Sequence, residues 1–382
     1  MASRRDHGDG GIDQRGPDQW RLRWRVGGKR HSKAFHGSKR AAQAELRRLL
    51  AEVEAGTAVE PSHLTVAEYL RGWLSSDRDL SPKTLERYRQ LAERQIIPHL
   101  GTKLLQKLRP AEINDWHQTL LGSGGIGGRP LSARTVGHAR RVLHRGLERA
   151  MGLEIINRNV ASVVPAPRIE PNEITILAPE QITDVLARLA DHPLYPIIVL
   201  ALGTGMRRGE ICGLAWSALD LNAGIVRVER SLEETEGGLR FKPPKTRHGR
   251  RTISLPVNVI EALRDHRRRQ AEQRLQLGLG RPGANDLAFT LFDGSPYPPD
   301  KLSRDWGNVV RDRKLPRVMF HALRHSHASA LIAAGLDVVA VSKRLGHGSA
   351  AITLSVYAHK FTSSDAAAAA AIERAMRGKA EP

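Results

Sequence analysis

The 382-residue chain has a single cysteine, Cys212, so it can form neither an internal disulfide nor a cysteine-based zinc cluster, and a reducing compartment is expected. Long apolar runs are missing too. No stretch approaches the roughly 18 residues of a membrane-spanning helix, and the opening MASRRDHGDGG lacks the apolar segment of a secretory leader. Acidic residues are scarce: 40 Asp and Glu stand against 60 Lys and Arg, for a net charge of +20. That excess suits a polyanionic partner. A membrane surface would call for a basic amphipathic or lipid-anchored element, and none is visible. Double-stranded DNA or another nucleic acid is therefore the expected partner, with no membrane, and a cytoplasmic location follows. A phosphate-cradling nucleotide loop is absent as well. In GTGMRRGE the glycines at 203, 205 and 209 have the wrong spacing, and no lysine precedes a serine or threonine; GSGGIGGRP at 122–130 follows no strand and reads as a connector.

What is present organises into several modules, because the length exceeds what one core usually spans. The expected class is α+β, mostly α: a small β-sheet-plus-helix module, a helical domain, and a mainly helical C-terminal domain with a small sheet. Residues 1–17 are rich in Gly, Asp and Arg and read as a disordered arm. From Trp20 to Val26 apolar residues alternate with Arg21, Arg23 and Arg25, the pattern of a half-buried strand with a basic face. Gly27-Gly28 turns the chain into a second strand, and Ser38 can cap a helix that ends at Gly56, giving a module over 18–60. Residues 61–164 read as helices, with Thr65, Ser81-Pro82, Pro110 and Ser132 at their starts. In the helix from Ser132 one stripe is apolar, while Arg134, His138, Arg141 and Arg145 form a basic stripe able to face phosphates. A proline-rich linker, 165–173, leads to the last domain, 174–382.

That domain should open with helices over 175–190 and 193–202 and turn to β-structure between Ile225 and Leu255. The densest chemistry lies from Phe320 to Lys360. His321 and Arg324 are three apart on an expected helix and so share a face, Gly335 closes that helix, and a second helix ends at Gly346 and His347. Ser349 or Thr353 can cap a third segment, which delivers Tyr357 ten residues after His347. Arginine matches phosphate oxygens in bidentate fashion, imidazole donates hydrogen bonds, and a phenol beside a cation is a competent nucleophile. Together they suit attack on a phosphodiester.

HALRH, LGH and ITLSVYAH, in this order and spacing, resemble the tyrosine recombinase (phage integrase) family. The resemblance covers nearly the whole chain. It implies a first catalytic arginine at Arg207, in TGMR, with Glu210 as its supporting acid. Arg208 is the rival, turned about 100° away on a helix. It further implies a mobile catalytic lysine at Lys245, completing a set with His321, Arg324, His347 and Tyr357. In the implied reaction Tyr357 attacks the scissile phosphate to leave a 3′-phosphotyrosyl link, and no ATP, metal or other cofactor takes part. The front module resembles an arm-type DNA-binding domain, with Arg21, Arg23 and Arg25 as contacts, and 61–164 resembles a core-binding domain. The implied assembly is a homo-tetramer on DNA attachment sites, integrating a phage or mobile element into a bacterial chromosome, with a host DNA-bending factor and an excision factor as further partners. The tail at 363–377 is expected to be a helix that docks on a neighbouring subunit.

Three other readings share some of these features. A type IB-like topoisomerase uses the same chemistry without exchanging strands, a DNA-binding regulator uses the basic faces alone, and a zinc hydrolase would draw on His321, His325, His327 and His347.

Overall fold

The structure, a computed structural model, describes residues 10–56, 58–170, 175–244 and 247–357, with 369, 372–373 and 376. It divides into two units, Met1–Pro171 and Asn172–Pro382.

In the first unit, alternation along one strand builds a sheet. β1 (Gly11–Gly16), β2 (Gln19–Val26) and β3 (Lys29–His36) pair antiparallel with β2 in the middle. Trp20, Leu22, Trp24 and Val26 bury one face against Ala42 and Leu46 of α1 (Lys39–Glu54), whose first turn is capped by Ser38. Full burial of such a side chain stabilises by roughly 1.5–3 kcal/mol, enough to hold a module this small only because all four point the same way. Residues 11–16 differ from the disordered arm expected there. Gly11 pairs with Arg23, Ile12 packs on the apolar cluster, and Asp13 bonds the guanidinium groups of Arg21 and Arg23 across the strand. Glycine and charge in the composition masked an edge strand that its neighbour supplies with partners.

The rest of the unit is helical. α2 (Val66–Ser76) starts at a reciprocal cap between Thr65 and Glu68, and α3 (Pro82–Leu91) has proline in its first turn. A π-turn, Ala92–Ile96, then leads into α4 (Ile97–Leu100). Pro98 has no N–H to give the carbonyl four residues back, and the chain widens so that the Ile97 N–H reaches Ala92 instead. α5 (Pro110–Ser123) and α6 (Ala133–Gly152) complete the bundle. Val136, Ala139, Leu143, Leu147 and Ala150 of α6 are buried with Leu70, Ile96, Ile113 and Leu120, and Ile156, Val160, Ala161 and Val164 extend the same core.

In the second unit α7 (Pro179–Arg188) begins later than the expected 175, because proline takes its first turn and the Leu177 N–H is already given to Ser326 Oγ at 2.9 Å. α8 (Tyr195–Thr204) is buried nearly all round, and the short α9 (Arg208–Cys212) follows. β4 (Leu219–Asp220), β5 (Ile225–Val228) and β8 (Arg251–Ser254) form one sheet in the order β4-β5-β8, while β6 (Ser231–Thr235) and β7 (Gly238–Lys242) form a separate hairpin. The run 224–232, which reads as one strand, thus serves two sheets. Arg230 sits at the break, its Nε on the Gly213 carbonyl and its guanidinium over the Phe241 ring. Helices α10 (Val257–Gln276), α11 (Pro299–Asp312), α12 (Phe320–Ala333), α13 (Val338–Leu345) and α14 (Ala350–Tyr357) complete the unit. Among the described residues no helix is long and apolar enough to cross a membrane. The tail at 363–377 lies mostly outside the described residues.

Candidate active site

Two glycines in the left-handed region set the frame. Gly205 (φ +66) ends α8, where a Cβ would stand 2.6 Å from the His327 ring and 2.8 Å from Leu345; Gly346 (φ +68) ends α13. Both turns leave carbonyls free, and arginines take them. Arg324, 4% exposed on α12, donates to Gly205 O at 2.6 Å and to Leu345 O at 2.7 Å. Arg207, just before α9, donates to Gly346 O at 3.1 Å. Because the second carbonyl of one arginine and the carbonyl of the other belong to consecutive residues, the two guanidinium groups are neighbours.

Like charges held together need a counter-charge, which Glu210 supplies. Its carboxylate accepts from the Arg207 backbone N–H and guanidinium, each at 2.9 Å, and from Arg251 on β8 at 2.9 and 3.2 Å. Glu210 is 3% exposed and the Arg251 side chain 7%. Burial alone would raise the Glu210 pKa, yet the bonds and charges of Arg251, and then of Arg207, hold it below the ordinary carboxylate value. Burial pulls the Arg324 pKa down to about 9, with Arg207 adding to the shift, so the group stays charged at neutral pH. The described site thus holds more positive charge than its one carboxylate balances, as an anion-binding site should.

Arg208, the rival to Arg207, turns the other way and bonds Ser303 at 2.6 Å and Asp300 at 2.8 Å on α11. His321 presents its ring to solvent at the edge of the site, although the protein packed beneath it and the charge of Arg324 lower its pKa. His347 Nδ1 and Thr353 Oγ1 lie 2.8 Å apart, a hydrogen bond that fixes the ring and, with Nδ1 accepting from the hydroxyl, leaves an Nε2–H that meets no partner among the described residues; burial first, then Arg324 and Arg207, pull its pKa to about 4. Tyr357 is 4% exposed among Ala328, Ile332, Val341 and Leu345, and its hydroxyl meets His325 Nδ1 at 2.5 Å. Burial pushes this phenol up to about 12, with Arg324 acting in the opposite sense. The structure therefore gathers Arg207, Glu210, His321, Arg324, His347 and Tyr357. Lys245, in the connection between β7 and β8, lies outside the described residues.

Three participants escaped the sequence reading. Arg251 carries no signal in its own stretch of sequence, and only the pairing of β5 with β8 brings it to Glu210. Thr353 looked like a cap and instead holds His347. His325 carried a signal, since it lies four residues from His321 on a helix, and the rings meet edge-on at 5.0 Å. His327, weighed as a metal ligand, has Nδ1 on Leu202 O at 2.7 Å and Nε2 on Arg344 at 3.1 Å. Among the described residues no group of three or more His, Cys, Asp or Glu could hold a metal ion.

The arginines expected to contact DNA lie in the first unit. Arg21 and Arg23 are tied to Asp13 at 3.0 and 2.8 Å, whereas Arg25 makes no ion pair among the described residues. Arg134, Arg141 and Arg145 are exposed on α6, and Arg134 and Arg141 line a cleft of about 180 Å³ with His138, Arg140 and His144.

Comparison with known proteins gives the following. Residues 175–364 match the model of the phage integrase family, and residues 65–121 match the phage integrase N-terminal SAM-like domain. The chain is 29% identical over 386 residues to an integrase of Streptomyces ambofaciens, covering 94% of each chain. It is 27% identical to a tyrosine recombinase XerC-like protein of Caldanaerobacter subterraneus, covering 87% of this chain and 89% of that one. Among solved structures, the Tn1549 transposon integrase in complex with a circular intermediate DNA aligns with a TM-score of 0.67 at 23% identity, over 82% of this chain and 99% of that one. A lambda integrase tetramer bound to a Holliday junction aligns with a TM-score of 0.57 at 18% identity, over 95% and 99%.

Proposed function

The chain belongs to the phage integrase family, and from that premise we propose how its residues divide the work of cutting and rejoining DNA. It is a tyrosine-type site-specific recombinase that integrates mobile elements. A scissile phosphate sits between Arg207 and Arg324, whose guanidinium groups take its non-bridging oxygens as charge gathers in the transition state. Their anchoring on the carbonyls of Gly205, Leu345 and Gly346 supports this, because donors already aimed need no reorganisation when the reaction starts. His347 adds a hydrogen bond through Nε2, and His321 adds one from the solvent edge. Glu210 keeps Arg207 and Arg251 in place.

The Tyr357 oxygen bonds to phosphorus, the P–O5′ bond breaks, and Lys245 gives a proton to the departing 5′-oxygen. One phosphate ester is exchanged for another of similar energy, so the partner strand's 5′-hydroxyl reverses the step without ATP or a cofactor. The sheet carrying Arg21, Arg23 and Arg25 and the exposed row Arg134, Arg141 and Arg145 bind duplex DNA, mainly through phosphates. Two binding surfaces on one chain can bridge separate sites and raise the effective concentration of one at the other. On attachment-site DNA the protein works as a homo-tetramer, with a host DNA-bending factor and an excision factor as partners, in the bacterial cytoplasm on the nucleoid.

The observation that carries this reading is the pair of neighbouring, carbonyl-anchored guanidinium groups close to a buried tyrosine. Its test is incubation with a nicked duplex of the element's attachment site in EDTA, followed by a denaturing gel. A covalent protein–DNA band is expected with the wild type and not with Tyr357→Phe. A band that persists in the variant overturns the assignment, and attention then moves to Tyr88 and Tyr195, since Tyr69 and Tyr297 already bond Gly146 O and Asp305.

A further inference from the structure

Tyr357 must lose a proton as it attacks, and among the described residues its hydroxyl has one hydrogen-bond partner, Nδ1 of His325 at 2.5 Å. We propose that His325 is a catalytic residue that takes the phenolic proton of Tyr357 through Nδ1 as the phenol oxygen bonds to phosphorus, an inference that rests on Tyr357 being the nucleophile.

Among the described residues no other base of the site bonds the phenol: His321 meets the His325 ring edge-on, and His347 Nε2 is kept for the phosphate. The Glu210 carboxylate is filled by Arg207 and Arg251, His347 Nδ1 is held by Thr353, and both ring nitrogens of His327 are occupied. His325 is also held in place. It stands in the middle of α12, the His321 ring packs edge-on against it, and the Tyr357 ring lies 5.7 Å away, centroid to centroid.

The protonation states favour this direction. Burial, His321 and Arg324 bring the His325 pKa down to about 4, so the imidazole is neutral, while the phenol, pushed up to about 12, keeps its proton. With the imidazole proton on Nε2, the phenol donates to Nδ1. Transfer between these two groups alone is uphill. It becomes easier once a phosphodiester brings a negative charge beside Arg324, offsetting a cation that depresses the imidazole. An oxygen also sheds basicity as it bonds to phosphorus.

The step balances. The O–P bond to Tyr357 forms and the P–O5′ bond breaks. The phenolic proton moves to His325, and the 5′-oxygen takes one from the acid assigned to Lys245. On rejoining, the attacking 5′-hydroxyl returns a proton to that acid, and the phenolate recovers its own from His325.

The test uses the full chain on the nicked attachment-site duplex, reading the single-turnover rate of covalent-complex formation. His325→Ala removes the imidazole, and His325→Asn keeps a carbonyl acceptor near the Nδ1 position without its basicity. Each variant is made with tyrosine and with a more acidic fluorinated tyrosine at position 357. Both variants are expected to be slowed on the order of a hundredfold with DNA binding unchanged. The acidic phenol should recover about tenfold or more of that loss in the variants and change the wild-type rate little. The acidic-phenol comparison is made within one variant, so a general loss of folding cannot imitate it. A wild-type rate in His325→Asn, or a deficit equal with both phenols, overturns the proposal. Failure of the underlying reading looks different: the covalent band then survives Tyr357→Phe, and the role of His325 falls with it.

Discussion

Arginine appears in two settings here, and the contrast explains how one residue type serves both affinity and chemistry. On β2 the side chains of Arg21 and Arg23 are 40% and 51% exposed, aligned by strand alternation and tethered to a single carboxylate. In the second unit Arg324 and Arg251 are almost wholly buried and bonded to carbonyls or to Glu210. Exposed guanidinium groups remain hydrated, interact weakly at any one contact and are screened by salt. Buried ones are oriented before any ligand arrives, at the expense of packing like charges together. The second arrangement suits transition-state stabilisation, and the first suits holding a polyanion.

The sharpest break of that contrast is Arg324→Lys. An ammonium carries the same charge but cannot reach both Gly205 O and Leu345 O as a planar fork does. Covalent-complex formation should fall about 10²–10³-fold in single-turnover assays, the effect of losing one preorganised donor. Arg25→Ala should leave the same rate unchanged at saturating protein. Equal losses in the two variants would erase the distinction between the settings.

Next in size is Glu210→Gln, which leaves Arg251 buried without its counter-charge. Breaking a buried pair costs about 3–5 kcal/mol, to be read as a lowered denaturation midpoint. The sign of its pH dependence follows from the depressed pKa. The stabilisation is fully present above the unfolded carboxylate value of about 4.5 and is lost as pH falls through the folded value. The gap between wild type and variant should therefore narrow on acidification below about 4.5. A gap that stays constant through that range would mean that Glu210 acts by shape.

A smaller effect is expected for Arg208→Ala. Its partners Asp300 and Ser303 lie on α11, and the ion pair is partly exposed, so stability should change by about 0–1 kcal/mol. The cleavage rate should move no more than a few-fold. A hundredfold loss would transfer the role of Arg207 to its neighbour.

The sequence disclosed the parts that depend on local order. Strand alternation at Trp20–Val26, the caps at Ser38, Thr65 and Ser132, and the glycine stops at 335 and 346 all follow from spacing, and the structure has each of them. His321 with Arg324 and His347 with Tyr357 are close in sequence, which made their grouping readable. What stayed hidden depends on long-range pairing. Nothing in RRTIS announces that Arg251 will meet an acid 41 residues earlier, because that contact is made only when β8 joins β5. β1 was obscured for the same reason: its stabilising partners are on β2, so its own composition reads as disorder.

The smallest expected effect tests the surface half of the contrast. The Asp13 carboxylate lies between Arg21 and Arg23, and its hydrogen bond to Arg21 outweighs its other influences in lowering its pKa. If exposed arginines act through net charge, Asp13→Asn should tighten DNA binding a few-fold at low salt, since the acid opposes the phosphates. The slope of log affinity against log salt should steepen by about one, the change for one more phosphate neutralised, whereas Arg25→Ala should flatten it by about one. Weaker binding by Asp13→Asn at every salt concentration would carry the opposite lesson. The carboxylate would then be aiming the two guanidinium groups, and preorganisation would govern the solvent-facing sheet as it does the buried site.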